Sequence, residues 1–181
     1  MTFDADAAQP ASEAASVVGA WFEQYVDVIH AYVCRRAGRE VARDVTAETF
    51  RVALAQFDRY DSSLGHERAW LYGIASNLLR RHWRSEQRLL RSQHRSASSV
   101  SVVGDPLLAV EDRFDARRDV DRVLEAVALL DPDDRDVLLL TVWEGLTSAE
   151  VAAALGVPAG TVRSRLSRIR AHLRADQGAS K

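Results

Sequence analysis

Apolar positions recur with helical spacing along most of the chain. Val18, Trp21, Phe22, Tyr25, Val28, Ile29, Tyr32 and Val33 follow the i, i+3, i+4, i+7 pattern. This predicts a first long amphipathic helix, with Gly38 placed to end it. VARDVTAETFRVALAQF (41–57) predicts a second helix, and the polar YDSSLGH (60–66) a turn or loop. ERAWLYGIASNLLRRHWRSEQR (67–88) predicts a third helix that becomes strongly basic towards its end. No run shows convincing strand alternation. RSQHRSASSVSVVGDP (91–106) is Ser-rich with Gly and Pro and reads as linker. Helical patterning resumes near Phe114 with RRDVDRVLEAVALL and DPDDRDVLLLTVWEG; Asp131 is placed as an N-cap, Pro132 at N1 and Gly145 at the stop.

The last patterned stretch, TSAEVAAALGVPAGTVRSRLSRIR, is the most specific. Thr147 and Glu150 have capping-box spacing, which opens a short Ala-rich helix. Gly156 permits a tight turn and Pro158 suits N1 of the next helix. Within TVRSRLSRIRAHLR (161–174), Val162, Leu166, Ile169 and Leu173 form one apolar edge. Gly160, Ser164, Ser167, Arg168 and Ala171 point the other way, with Thr161 and Arg163 at the flanks. Two helices joined by a short Gly turn, the second presenting Arg and Ser outward, make a helix-turn-helix whose free face can enter a DNA major groove. Val151, Leu155, Val162 and Leu166 are the expected packing between the two helices. The competing reading of that face is a basic surface helix in a protein–protein module.

Charge strengthens the nucleic-acid reading. The 181 residues carry a net charge of −2 and are 47% apolar, enough for one or two small cores. The charge is segregated: residues 80–95 hold six arginines against Glu86 alone, and 161–174 hold five against no acid. Residues 105–136 hold eleven acids against five arginines. Two basic patches separated by an acidic stretch favour a polyanionic partner at two places. If 89–113 is flexible, its r.m.s. span is roughly 25–30 Å, so two domains could sit on separate patches of one long ligand. Cys34 is the only cysteine, which excludes an intramolecular disulfide and fits a reducing compartment. No signal-peptide pattern or membrane-length apolar run is present, so a soluble intracellular protein without membrane insertion is expected.

Enzyme chemistry finds no support. No glycine-rich phosphate loop, nucleophile elbow or paired-carboxylate constellation occurs, and no cofactor is implied. His30 and Cys34 are four apart on one helix, a spacing that could seat a metal, but no further ligand lies nearby and a packed pair is expected. No HxxxCxxC zinc spacing occurs; Arg36 and Ala37 occupy the closing positions.

Both halves of the chain resemble the extracytoplasmic-function (ECF) group of bacterial RNA polymerase sigma factors. DVTAETF (44–50) resembles that family's DLVQETF-like stretch, and RAWLYGIASNLLRRHWR (68–84) its RAWLYRIARNLAIDHLR-like stretch. LLDPDDRDVLLLTVWEGLTSAEVAAALGVPAGTVRSRLSRIRAHL looks like its promoter-binding C-terminal domain. The resemblance implies an all-α fold of two small helical domains joined by a flexible linker. It divides the chain into a tail (1–12), a domain binding core polymerase and the minus-10 element (13–90), a linker (91–113) and a minus-35 domain (114–175). It also implies contacts to core polymerase, at the largest-subunit coiled coil and the flap, to promoter DNA and to an anti-sigma factor.

Residue roles follow from the same resemblance. Asp44, Ala47 and Glu48 would contact the core, with Ala47 standing where Gln is common, and Phe50 would face the interior. The 61–66 loop, with Ser62 and Ser63, and Asn77 would read the minus-10 element, where a base is flipped into a pocket. Arg80, Arg81 and Arg84 would hold phosphates beside it. Gly160, Thr161, Arg163, Ser164, Ser167 and Arg168 would read the minus-35 element, while Arg165 turns towards backbone or a neighbouring helix. Trp70 and Tyr72 could stack on unpaired bases, although core packing is the plainer expectation; for Trp83 both readings stand. The rival function is a stand-alone regulator that binds duplex DNA through residues 114–175 without polymerase.

Overall fold

A computed structural model describes residues 8–63, 65–94, 127 and 129–178. Most of the expected linker, and the segment from Phe114 to Ala126, lie outside the described residues. Helix α1 spans Ala8–Ala55, followed by a 3-10 turn at Phe57–Arg59 and α2 at Glu67–His94. In the second half α3 is Pro132–Val142, α4 Ser148–Leu155 and α5 Ala159–Gly178. No strand occurs among the described residues.

Gly38 breaks α1 into two arms, with φ 77° and ψ 171°, as its placement predicts. Two boundaries differ from expectation. Ala8–Ser12, expected as tail, belong to α1: the stretch is alanine-rich, and Pro10 falls in the first turn, where a missing N–H removes no helical bond. Arg91–His94, expected as linker, continue α2.

The first arm of α1 buries Val18, Trp21, Ile29, Tyr32 and Val33, and the second arm buries Ala42, Val45, Thr49, Phe50 and Ala53. Both faces lie against α2, whose residues Ala69 and Leu71 to Ser76 are all buried. A helix enclosed on every side needs cover on two sides. Here the second cover is α4. At Gly73, a Cβ would lie 2.2 Å from the Ala154 carbonyl oxygen, so α2 and α4 meet backbone to backbone. Glycine inside a helix costs about 1 kcal/mol relative to alanine; this close approach gives the position its use.

One continuous apolar cluster therefore runs from Val18, Trp21 and Leu71 through Val137 and Leu140 to Val151, Val162 and Leu166. Two helical regions are present, but they share a core instead of standing apart. A smaller cluster, Val127, Leu130, Leu139 and Ile169, closes the far side of the second region. Buried Arg135 there donates to the carbonyls of Val127 and Leu130 at 3.1 Å, anchoring the chain entering α3.

Candidate nucleic-acid interface

Local chemistry sets the helix-turn-helix. Asp131 caps α3 by accepting from the Asp133 amide at 3.0 Å, with Pro132 at the first helical position. Thr147 and Glu150 form the complete capping box: the Thr147 amide donates to Glu150 Oε2 at 2.8 Å, and the Glu150 amide donates to Thr147 Oγ1 at 3.3 Å. Those bonds hold the Glu150 carboxyl below the usual carboxylate range, the Thr147 backbone contribution being the largest. Thr147→Ala is expected to cost about 1 kcal/mol, read as a lower urea midpoint with an unchanged slope. Gly156 ends α4 in the left-handed region at φ 66°. Helix α5 starts at Ala159, one residue later than expected. Pro158 immediately precedes it, and its carbonyl accepts from Thr161 at 2.9 Å and Val162 at 3.3 Å.

The edge and the free face of α5 fall where the pattern places them. Val162, Leu166 and Ile169 are buried and Leu173 is half-buried. Gly160, Arg163, Ser164, Ser167, Arg168 and Ala171 are exposed, with Thr161 half-buried at the rim. Val151 is buried and Leu155 half-buried against α5, as their packing role requires. Arg165 turns back to α3, 3.3 Å from Asp133 and 3.5 Å from Asp134. Arg168 also meets Asp134, its Nη2 donating at 2.6 and 2.9 Å, yet its side chain remains 68% exposed. The acids of α3 thus orient two arginines while leaving the second one's fork open to solvent.

In the first half, Ser62 and Ser63 are exposed on the loop, where the Ser63 amide donates to Asp61 at 2.8 Å. Loop and helix are tied to α1: Tyr25 donates to Glu67 at 2.6 Å, and Tyr60 donates to Glu67 at 3.5 Å. Arg59, Tyr60, Asp61, Gly65, His66, Ala69 and Trp70 line a cavity of about 220 Å³ that Ala153 of α4 also borders. Trp70 is half-buried, with its ring centroid 5.3 Å from that of Tyr60 and 6.0 Å from that of Trp21. Tyr72 is fully buried, in accord with the core expectation. Trp83 is half-buried with the Arg36 guanidinium 5.4 Å from its ring centre.

The Tyr25–Glu67 bond titrates at both ends. Burial and the Glu67 carboxylate push Tyr25 up to about 12, and the bond from Tyr25 holds Glu67 below its ordinary value. The phenol's contribution is present below pH 10 and is lost as pH rises towards 12; the carboxylate's is present above its ordinary range and is lost on acidification. Tyr25→Phe is therefore expected to flatten both flanks of a melting-temperature profile against pH while leaving its neutral region least curved.

Asn77 is exposed and borders a groove of about 190 Å³ with Val52, Gln56, Ile74, Leu78 and Arg81. Arg81 and Arg84 are exposed as well. Arg80 is not: its side chain is 20% exposed, and it donates to Asp136 at 2.6 Å and lies 3.3 Å from Asp133. Asp44 and Ala47 are exposed and Glu48 half-buried on the outer side of the second arm of α1, with Arg51 bonded twice to Glu48 at 2.6 Å. Phe50 is buried on the inner side. His30 lies 3.4 Å from Thr46 and Cys34 packs against the core; among the described residues no group of ligating side chains could hold a metal.

Sequence reasoning missed a set of polar side chains between the two regions. Arg36, 1% exposed, pairs with fully buried Asp136 and donates to Tyr32 at 2.9 Å. Tyr32 shares a 2.8 Å bond with Ser76. Glu144 receives Arg35 and Tyr72, while its carbonyl accepts from Arg68 at 2.6 Å. Burial and this carboxylate push the Tyr72 phenol up. The usable signal was AWLYGIAS, eight residues with too little polar surface for a helix that faces solvent.

Among the described residues, an all-α fold with a basic helix-turn-helix and a second arginine-bearing helical region defines a class of fold suited to nucleic acid. Sigma-70 region 2 matches residues 21–89 and Sigma-70 region 4 matches residues 121–173. The ECF RNA polymerase sigma factor SigC of Mycobacterium tuberculosis is 36% identical over 135 residues, covering 75% of this chain and 69% of that protein. SigL of the same species is 28% identical, covering 86% of each chain. Among solved structures, CnrH in complex with the cytosolic domain of CnrY superimposes with TM-score 0.59 and 26% identity, covering 94% of this chain and 96% of that one. The sigma factor RpoE of Bartonella quintana, in complex with the anti-sigma factor NepR, gives TM-score 0.57 at 21% identity, over 90% and 98%. The chain belongs to the sigma-70 family, in its ECF group. Among the described residues no helix is long and apolar enough to cross a membrane.

Proposed function

We propose that this chain binds RNA polymerase core and directs promoter recognition and initiation, with no catalytic chemistry of its own. One observation carries the reading. From Gly160 to Ala171 the outward face of α5 is small and arginine-bearing, opposite a buried apolar edge, in a chain that also holds the region 2 fold. Gly160 and Thr161 let the helix start approach closely; Arg163 and Arg168 reach guanine edges or phosphates, and Ser164 and Ser167 do not hold the helix away. Asn77, the Ser62–Ser63 loop, Arg80, Arg81 and Arg84 serve the minus-10 element. Asp44, Ala47 and Glu48 meet the core enzyme. Residues 13–90 and 114–175 are the two functional units, with 1–12 and 91–113 outside them. The chain works in the cytoplasm, and the anti-sigma factor NepR bound to the RpoE of Bartonella quintana supports an inhibitor of that type here.

Asp44→Arg inverts an exposed charge without touching the core, so it is expected to weaken co-purification with core polymerase while thermal stability is unchanged. Footprinting tests the main reading. Protection of promoter DNA that requires core enzyme is expected; a specific footprint by the chain alone at physiological salt would instead assign it as a stand-alone regulator.

A further inference from the structure

We propose that Arg163, Arg170 and Arg174 form a flank of α5 that grips the phosphates of one strand of the minus-35 duplex, while the opposite flank is charge-balanced and leaves Arg168 to the bases. The inference rests on the reading above and extends it to Arg170 and Arg174. At about 100° per residue the three arginines fall within about 40° of one another, on one side of the outward face. All three are exposed, and among the described residues none has a carboxylate partner. Arg165 and Arg168 lie on the other side, about 120–180° around the helix. There the carboxylates of Asp133 and Asp134 meet them, at 3.3 and 3.5 Å for Arg165 and 2.6 Å for Arg168. Both flanks carry arginines, and only one has its charge balanced.

Folding alone does not call for this arrangement. Arg170 and Arg174 are four positions apart, a like-charge spacing that disfavours a helix in water. Cations near a helix C-terminus are favoured by its dipole, but that effect fades beyond the last turn. The last turn of α5 holds no base. A polyanion reverses the sign of the repulsion. Arg163 and Arg174 are separated by about 16 Å along the helix, enough to pass several phosphates of one strand. Guanidinium forks match phosphate oxygens, and such contacts fix register and orientation without reading sequence. On the balanced flank Asp133 and Asp134 offset the attraction of Arg165 and Arg168 for a second strand. The helix therefore leans towards one strand and enters the groove in one orientation.

Salt titration of the full-length chain on a labelled short duplex of arbitrary sequence tests the flank. Arg170→Ala and Arg174→Ala are each expected to weaken binding about eightfold at about 0.1 M salt, and to make the log-affinity against log-salt slope shallower by about 0.9. Arg174→Lys keeps the charge and is expected to retain the slope. Arg39→Ala removes one charge from an exposed site in the first region and is expected to leave the slope as it was. Selection from a randomised duplex pool by the chain bound to core polymerase supplies the second readout. Arg174→Ala is expected to recover the same sequence blocks as wild type, because phosphate contacts carry no sequence information. Unchanged slopes in both alanine variants, an equal loss in Arg39→Ala, or altered sequence blocks in Arg174→Ala would overturn the proposal. Core-dependent initiation by wild type is scored separately. If it fails while the two slopes still fall, the flank stands and the sigma-factor reading falls; if it succeeds with unchanged slopes, the reverse holds.

Discussion

Arg168→Ala is expected to weaken recognition of the minus-35 element by roughly five- to 150-fold, about 1–3 kcal/mol, and to relax preference at the base pair it contacts. The side chain stands on the exposed face of α5, and Asp134 holds it from behind through one terminal nitrogen. An arginine held this way keeps the rest of its fork for a bidentate partner, at lower entropic cost than a free side chain. Asp134→Ala is accordingly expected to lower affinity at the same base pair, by less than Arg168→Ala, and to add little on top of it. Promoter competition with reconstituted polymerase measures both; unchanged promoter choice in the Arg168 variant would remove α5 from the recognition role.

Leu71→Ala is expected to destabilise the chain by about 2–5 kcal/mol, with a melting temperature lower by roughly 2–4 °C per kcal/mol. Leu71 is fully buried in α2, the helix covered on two sides, and belongs to the cluster that spans both regions. A cavity there is bounded by two helical layers, so it cannot collapse as an edge position would. Equilibrium unfolding of wild type and variant, followed by circular dichroism, gives the difference. A loss below about 1 kcal/mol, the range of a surface position, would show that α2 is not the central helix.

The helices and the exposed face of α5 were legible because periodicity records which side of a helix is buried. Val162, Leu166 and Ile169 mark their edge without any knowledge of what covers it. Caps were legible for a related reason: Asp131 and the Thr147–Glu150 pair act within one turn, so sequence spacing is their geometry. Contacts between distant segments leave no such spacing. Asp136 reads as one more acid in a helix's first turns, although its partners Arg36 and Arg80 lie 100 and 56 residues away. Arg80 illustrates the limit of charge counting, since a basic run predicts affinity for anions and leaves open whether phosphate or the chain's own carboxylate supplies them. The start of α1 escaped because a small, acidic, proline-containing composition fits a tail and a helical first turn equally.

A single measurement bears most directly on the account: mapping transcript 5′ ends produced by purified core polymerase on a genomic fragment library, with and without this chain. Starts that appear only with the chain, downstream of a shared pair of sequence blocks, and that shift when Arg168 or Asn77 is replaced, are the predicted result. Identical start positions in both reactions, or failure of the chain to associate with core enzyme, would contradict it.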